Sequence, residues 1–260
     1  MIFIGERINT GFKDIKAAVE NKDADVLKEW AVKQTKAGAT YLDVNLGAVS
    51  SKPEDLCWMI EQVQAASDLP ISIDTNKPSM LKEAVPLCKK PPLINSTTAV
   101  EEKMDNMFPI VAEHGCSIIG LVMDETGSPK SADKRVENAG KLIAKAMEFG
   151  IGPEQIFLDP IMMPMKYMQE QLKEILSACG QFQMFSDPPP HIVCGLSNVA
   201  NDTKHKKLIN RTVAVMMAAN GLDAVICDVM DEELVNALLT AELVMNKQIY
   251  ADSYIQAFRS

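Results

Sequence analysis

The sequence predicts a single-domain (β/α)8 barrel of the TIM type spanning residues 1–260. Three observations lead there. Eight short strand-like runs recur along the chain. Four times a helical stretch ends at a glycine and a strand-like run follows it. And 260 residues over eight units is roughly 32 each, the size of one strand-plus-helix repeat in a barrel of ~250 residues. A doubly wound open sheet would use fewer strands and carry a glycine-rich phosphate turn after the first, which this chain lacks.

The predicted strands are Ile2–Gly5, Tyr41–Asn45, Ile71–Asp74, Leu93–Asn95, Ser117–Met123, Ile156–Asp159, Ile192–Leu196 and Ala224–Asp228. Gly38, Gly115, Gly150 and Gly221 precede four of them, each suited to the left-handed turn that closes a helix. Between strands, Val26, Leu27, Trp30, Ala31 and Ala37 form one apolar face. Leu56, Met59, Ile60 and Val63 fall at helical spacing behind a capping box of Ser51 and Glu54. Val100, Met104, Met107, Phe108 and Val111 repeat that stripe behind Thr98 and Glu101. Segments 131–147, 167–178, 207–219 and 231–245 are helical by the same pattern, and Asp187-Pro188-Pro189-Pro190 is a stiff lead-in to the seventh strand. No linker or low-complexity tract suggests a second domain.

Composition narrows the function. With 26 basic and 35 acidic side chains the net charge is −9, the wrong sign for a phosphate-binding face, so nucleic acid is not an expected partner. No apolar run approaches the ~20 residues that cross a bilayer, and the first residues lack a basic stretch followed by an apolar core and cleavage site. A cytoplasmic protein is expected. The six cysteines show no metal-ligand spacing and read as reduced, buried small hydrophobes.

In this barrel type the chemistry sits at the carboxyl ends of the strands. Reading those ends gives Asp43-Val44-Asn45, Ser72-Ile73-Asp74, Ile94-Asn95-Ser96, Leu158-Asp159-Pro160, Gly195-Leu196-Ser197-Asn198 and Ile226-Cys227-Asp228. Asp43 and Asn45 share a face, as do Ser72 and Asp74. A ring of carboxylates and amides is therefore expected around one rim. None of the three histidines (His114, His191, His205) ends a strand, and no lysine lies within a predicted strand, which disfavours Schiff-base chemistry. His114 and Cys116 are two neighbouring ligand types at the bottom of a strand, a structural arrangement rather than a metal site. Carboxylates and amides in a ring match the donor and acceptor edge of a flat amino-pyrimidinone heterocycle such as a pterin.

Glu6-Arg7-Ile8-Asn9, Ile73-Asp74-Thr75-Asn76, Ile94-Asn95-Ser96-Thr97, Leu158-Asp159-Pro160 and Gly195-Leu196-Ser197-Asn198 resemble the pterin-binding barrels. The likeness is closest to the methyltetrahydrofolate:corrinoid/iron-sulfur protein methyltransferases. It runs almost full length, through Leu208-Ile209-Asn210-Arg211 to Ala251-Asp252-Ser253. The resemblance implies transfer of the methyl group of 5-methyltetrahydrofolate to or from the Co(I) of a corrinoid carried by a separate protein, and a homodimer. It implies that Asp74, Asn95 and Asp159 hold the pterin edge, that Gly195, Ser197 and Ile226 line the pocket, and that Asn198 faces the methylated nitrogen as the catalytic amide. Near relatives carry Gln and Arg where this chain has Asn201 and Lys206, so contacts beyond the pterin ring would differ. No D-x-H-x-x-G is present, so the cobalt is expected on the partner, and no metal site is expected in this chain.

Residue by residue, other roles compete. Asp74 is also placed to cap the helix beginning near Pro78, Asp159-Pro160 is an ordinary turn starter, and Asn95 can cap. Glu6 and Arg7 can simply pair at the rim, and Asp43 and Asp228 are undecided. The nearest rival activity, dihydropteroate synthase, resembles this barrel but uses a lysine after strand seven and an Arg-x-His near strand eight, where this chain has Ser197-Asn198 and Asp228. A non-catalytic folate-binding subunit is the other alternative.

Overall fold

Eight parallel strands pair in sequence order, and the eighth closes on the first through Ile4 beside Ile226. The protein, seen in a computed structural model that describes residues 1–259, is a (β/α)8 barrel. In chain order its elements begin with β1 (Ile2–Asn9), α1 (Lys13–Asn21), α2 (Ala24–Lys36), β2 (Tyr41–Asn45), α3 (Pro53–Gln64), β3 (Ile71–Asp74), α4 (Pro78–Ala84), β4 (Leu93–Thr98) and α5 (Glu101–His114). The second half comprises β5 (Ser117–Leu121), α6 (Ala132–Glu148), β6 (Ile156–Asp159), α7 (Gln171–Phe182), β7 (His191–Gly195), α8 (Leu196–Val199), α9 (Lys206–Ala218), β8 (Ala224–Cys227), α10 (Glu232–Val244) and α11 (Tyr254–Arg259).

All eight strand positions predicted from sequence are strands, and the four helix-ending glycines have φ between +62° and +109°. Their boundaries differ in instructive ways. β1 runs four residues further than expected, because its register against β2 skips between Gly5 and Ile8 and the chain rejoins the ladder there, Ile8 beside Val44 and Asn9 beside Asn45. Strand seven ends at Gly195, and Leu196 opens a short helix instead. Helix α7 starts at Gln171 rather than 167, since Tyr167 and Met168 are taken up in turns onto Pro164. Neither predicted capping box forms. Pro53 sits at the first helical position of α3, which makes Lys52 the cap residue, and α5 is entered from Val100 while Thr98 stays in β4. The cysteines are all free, but Cys57 and Cys88 are only half buried.

Two apolar layers result. The larger core lies between strands and helices, where the predicted stripes of α3 and α5 bury Leu56, Met59, Ile60, Val63, Met104, Met107, Phe108 and Val111. The smaller one fills the barrel itself: Ile4, Leu93, Ile119, Phe157, Val193 and Ala224 meet there, with Tyr41 and Ile226 packed against them. Side chains alternate along a strand, so the residue two further on faces the same interior. That step gives Glu6, Asn95, Leu121, Asp159, Gly195 and Ile226, all of which line a cavity at the carboxyl mouth. The barrel is therefore plugged below by hydrocarbon and open above onto polar groups.

Candidate functional site in the barrel mouth

The cavity at the mouth measures about 700 Å³, enough for a bicyclic heterocycle and part of a tail. Of the residues singled out from sequence, Asp74, Asn95, Asp159, Gly195, Ser197, Asn198, Lys206 and Ile226 all line it. Asn201 does not: it lies in the turn after α8, where its N–H donates to the Asn198 carbonyl at 3.3 Å. A neighbouring cavity of about 300 Å³ shares Asp74, Asn95 and Ser96 with the first and adds Asn45, Asn76 and Lys77.

A hydrogen-bonded relay runs across β2, β3 and β4. Asp43 Oδ1 accepts from Ser72 Oγ at 2.6 Å and from Asn95 Nδ2 at 3.2 Å, while Asn45 Nδ2 donates to Asp74 Oδ2. Asp74 is therefore held by an amide from the next strand rather than capping α4, whose cap residue is Lys77. Asp43, undecided from sequence, is the most buried acid of the group at 2% exposed. Loss of hydration raises its carboxyl to about 8, with the charge of Asp74 adding to the rise and the bonds from Ser72 and Asn95 opposing it. Asp74 is raised by burial as well.

On the opposite side, Asp159 ends β6. Its Oδ1 accepts from the Ile161 N–H at 2.8 Å, and the Gly195 N–H also holds the carboxylate. Burial outweighs those bonds and lifts it to about 6. A carboxylate has about four lone-pair positions, so two backbone bonds leave Asp159 acceptor capacity for a ligand edge.

The third part of the rim joins β1 to the start of α8. Ser197 Oγ donates to Glu6 Oε1, and desolvation raises the Glu6 carboxyl, with the charge of Asp228 adding to the rise and Lys206 opposing it. Glu6 does not pair with Arg7. The Arg7 Nη2 instead donates to both carboxylate oxygens of Asp14, at 2.8 and 2.7 Å, with the guanidinium between the rings of Phe12 and Trp30. Glu6 faces inward by alternation from Ile4, and in the β1 irregularity beside it Gln34 of α2 stands in for a strand partner: its Oε1 accepts the Arg7 N–H at 3.0 Å. A Cβ on Gly5 would lie 2.4 Å from Gln34 Oε1, so any other residue there would push that side chain off its bond to Arg7. Asn198 follows in the first turn of α8 and is exposed to the cavity; its Nδ2 lies 3.6 Å from where a Cβ on Gly195 would stand, so the amide sits back over the end of β7.

Lys207 and Leu234, unmarked in the sequence, also line the mouth, as do Asn9 and Asn210, which stand in the quoted motifs without an assigned role. Lys206 and Asn210 are four apart on α9, a spacing that puts them on one helix face and was available as a signal.

A closed parallel barrel with a polar ligand-sized mouth defines the class, and the chain belongs to the pterin binding enzyme family, whose pattern it matches over residues 5–228. Along its whole length it is 30% identical over 264 residues to a methylcorrinoid:tetrahydrofolate methyltransferase of Eubacterium limosum, covering 96% of that protein. It is 26% identical over 212 residues to the methionine synthase of Mycobacterium tuberculosis, 77% of this chain but 18% of that one. Among solved structures, a dihydropteroate synthetase holding a product superposes with a TM-score of 0.70 over 94% of both chains at 18% identity. The Yersinia pestis enzyme with a pterin–sulfa conjugate does so at 0.68 over 95% of this chain and 94% of that one, with 15% identity. These structures share the fold.

Proposed function

We propose that the protein moves a methyl group between N5 of methyltetrahydrofolate and the cobalt of a corrinoid carried by a second protein, binding the folate in the barrel mouth. The observation that carries this reading is the placement of Asn198, a cavity-facing amide in α8 just after β7, in the same mouth as Asp74, Asn95 and Asp159. Full-length similarity to a methylcorrinoid:tetrahydrofolate methyltransferase supports it.

Asp159 and Asp74 accept from the N–H groups of the pterin edge, and Asn95, itself tied to Asp43, presents an amide carbonyl and amino group beside them. In the direction toward cobalt, the lone pair of Co(I) forms a bond to the methyl carbon as the carbon–N5 bond breaks. The released pair stays on N5, which takes up a proton from water in the open mouth as the bond breaks; in the reverse direction N5–H returns that proton to water. Asn198 serves both ends of that change, donating to the neutral nitrogen or turning its carbonyl to accept from the protonated one. A hydrogen bond that gains charge is worth ~1.5–3 kcal/mol against ~1 for a neutral one, and only the difference lowers the barrel's barrier for transfer. Apposition of the two substrates supplies much of the rest.

The corrinoid reaches the reacting carbon from above the carboxyl rim, so the partner docks there. Among the described residues no helix is long and apolar enough to cross a membrane. A cytoplasmic homodimer belongs to the same proposal, its subunit number open to sedimentation. The decisive experiment mixes the protein with methyltetrahydrofolate and a Co(I) corrinoid and follows cobalt absorbance. Formation of methyl-Co(III) supports the reading. Folate binding without that change would leave a binding subunit, and absence of folate binding would end the reading altogether.

A further inference from the structure

Arg135 of α6 is 1% exposed, the largest of the fully buried side chains. A cation so deep is costly unless its donors are met. Here they are met by carbonyls: Nε donates to Pro160 O at 2.8 Å, Nη1 to Ser131 O at 3.2 Å and Nη2 to Ile161 O at 3.4 Å.

The Pro160 carbonyl and the Ile161 N–H belong to one peptide unit. In a planar trans peptide these two groups point in opposite directions, so a guanidinium that holds the oxygen also aims the N–H. That N–H is the one on Asp159 Oδ1. The backbone there needs support, for Ile161 has a φ of +59°, uncommon for a β-branched residue. Two other buried side chains brace the same stretch. Asn138, one turn along α6, donates to Val122 O, and Val122 N–H donates to Asp159 O; Gln171 of α7 binds both the N–H and the carbonyl of Met163.

We propose that Arg135 is a positioning residue which, through the Pro160–Ile161 peptide, aims the Asp159 carboxylate into the mouth of the barrel. It touches no substrate. The inference rests on the reading that Asp159 holds the pterin edge.

The test compares Arg135→Met and Arg135→Lys with Gln64→Leu, which removes a buried side chain bonded to Leu87 O and Lys89 N, outside the mouth. Methyltetrahydrofolate affinity, single-turnover transfer to a Co(I) corrinoid at saturating folate, and hydrogen exchange of the Ile161 amide are measured on each. Arg135→Met should weaken folate about tenfold and Arg135→Lys, which keeps charge but loses the fork, about threefold. Transfer at saturation should stay within about threefold for both, and Ile161 exchange should rise about tenfold relative to strand amides. Gln64→Leu should lower the melting temperature and leave folate affinity unchanged. In the Arg135→Lys background Asp159→Asn should cost distinctly less than it does alone.

Wild-type affinity and Ile161 exchange in a folded Arg135→Lys protein would overturn the proposal, as would full additivity with Asp159→Asn. If wild-type protein binds no folate, the proposed function falls. The Ile161 exchange then decides about Arg135 by itself, an unchanged rate overturning it.

Discussion

Asn95 on β4 reaches past β3 to Asp43 on β2, its Nδ2 lying 3.2 Å from Asp43 Oδ1. Side chains from alternate strands meeting in one layer are the usual way such a barrel is filled, but here the layer is polar and holds a carboxyl raised to about 8. The native protein therefore keeps a proton on this site that the unfolded chain releases near pH 4. Its stabilising contribution is complete below pH 4 and is lost as pH rises toward 8. Thermal unfolding followed by circular dichroism from pH 5 to 9 should show the melting temperature falling with pH. Asp43→Asn should flatten that slope, and partly so, because Asp74, Asp159 and Glu6 are shifted the same way. Identical slopes in the two proteins would remove Asp43 from this role.

An ionised Asp159 accepts from a pterin edge more strongly than the protonated acid does, and burial puts its pKa at about 6. Folate affinity should therefore weaken as pH falls below about 6. Asp159→Asn should lower affinity by roughly 10–150-fold at pH 7.5, the range expected for losing a charged hydrogen bond of ~1.5–3 kcal/mol, and should abolish the acid limb. Isothermal titration with methyltetrahydrofolate checks both, and unchanged affinity would take Asp159 out of the site.

Asn198→Ala should separate chemistry from binding. Single-turnover methyl transfer should fall about 5–30-fold, equivalent to one to two kcal/mol, while folate affinity changes little. Equal losses in the two measurements would count against a role in the transition state.

Gly5→Ala should destabilise by about 1–3 kcal/mol, as overpacking does. Its Cβ would meet Gln34 Oε1 at 2.4 Å, and Gln34 is fully buried and bonded to the Arg7 N–H. Denaturant unfolding measures the loss. Adding Gln34→Ala should recover part of it, and a strictly additive double variant would mean that the clash is relieved elsewhere.

The barrel was legible in the sequence because its signals are local and repeated: an apolar run, a helical stripe such as Leu56 to Val63, and a glycine that takes positive φ at Gly38, Gly115, Gly150 and Gly221. Local signals misled where two of them competed. The Ser51–Glu54 spacing looks like a capping box, but Pro53 fixes the helix start one residue later. The site was legible to the extent that strand ends could be located, which is why Asp74, Asn95, Asp159 and Asn198 were found together. Glu6 was harder to read, since the strand was expected to end at Gly5, whereas β1 runs on to Asn9 with Gln34 of α2 meeting the Arg7 N–H.

The amino-acid order alone determined the repeat of strand and helix, the closed-barrel class and which polar residues stand at strand ends, because these follow from neighbours within a few positions. Only the tertiary structure decided that Asp43 joins Asn95 and Ser72, that Asn45 and not a helix end claims Asp74, and that a buried Arg135 braces the peptide holding Asp159. The reason is physical: a hydrogen bond between side chains of different strands depends on barrel register and depth, and the cost of burying charge exists only once the surrounding chain has excluded water.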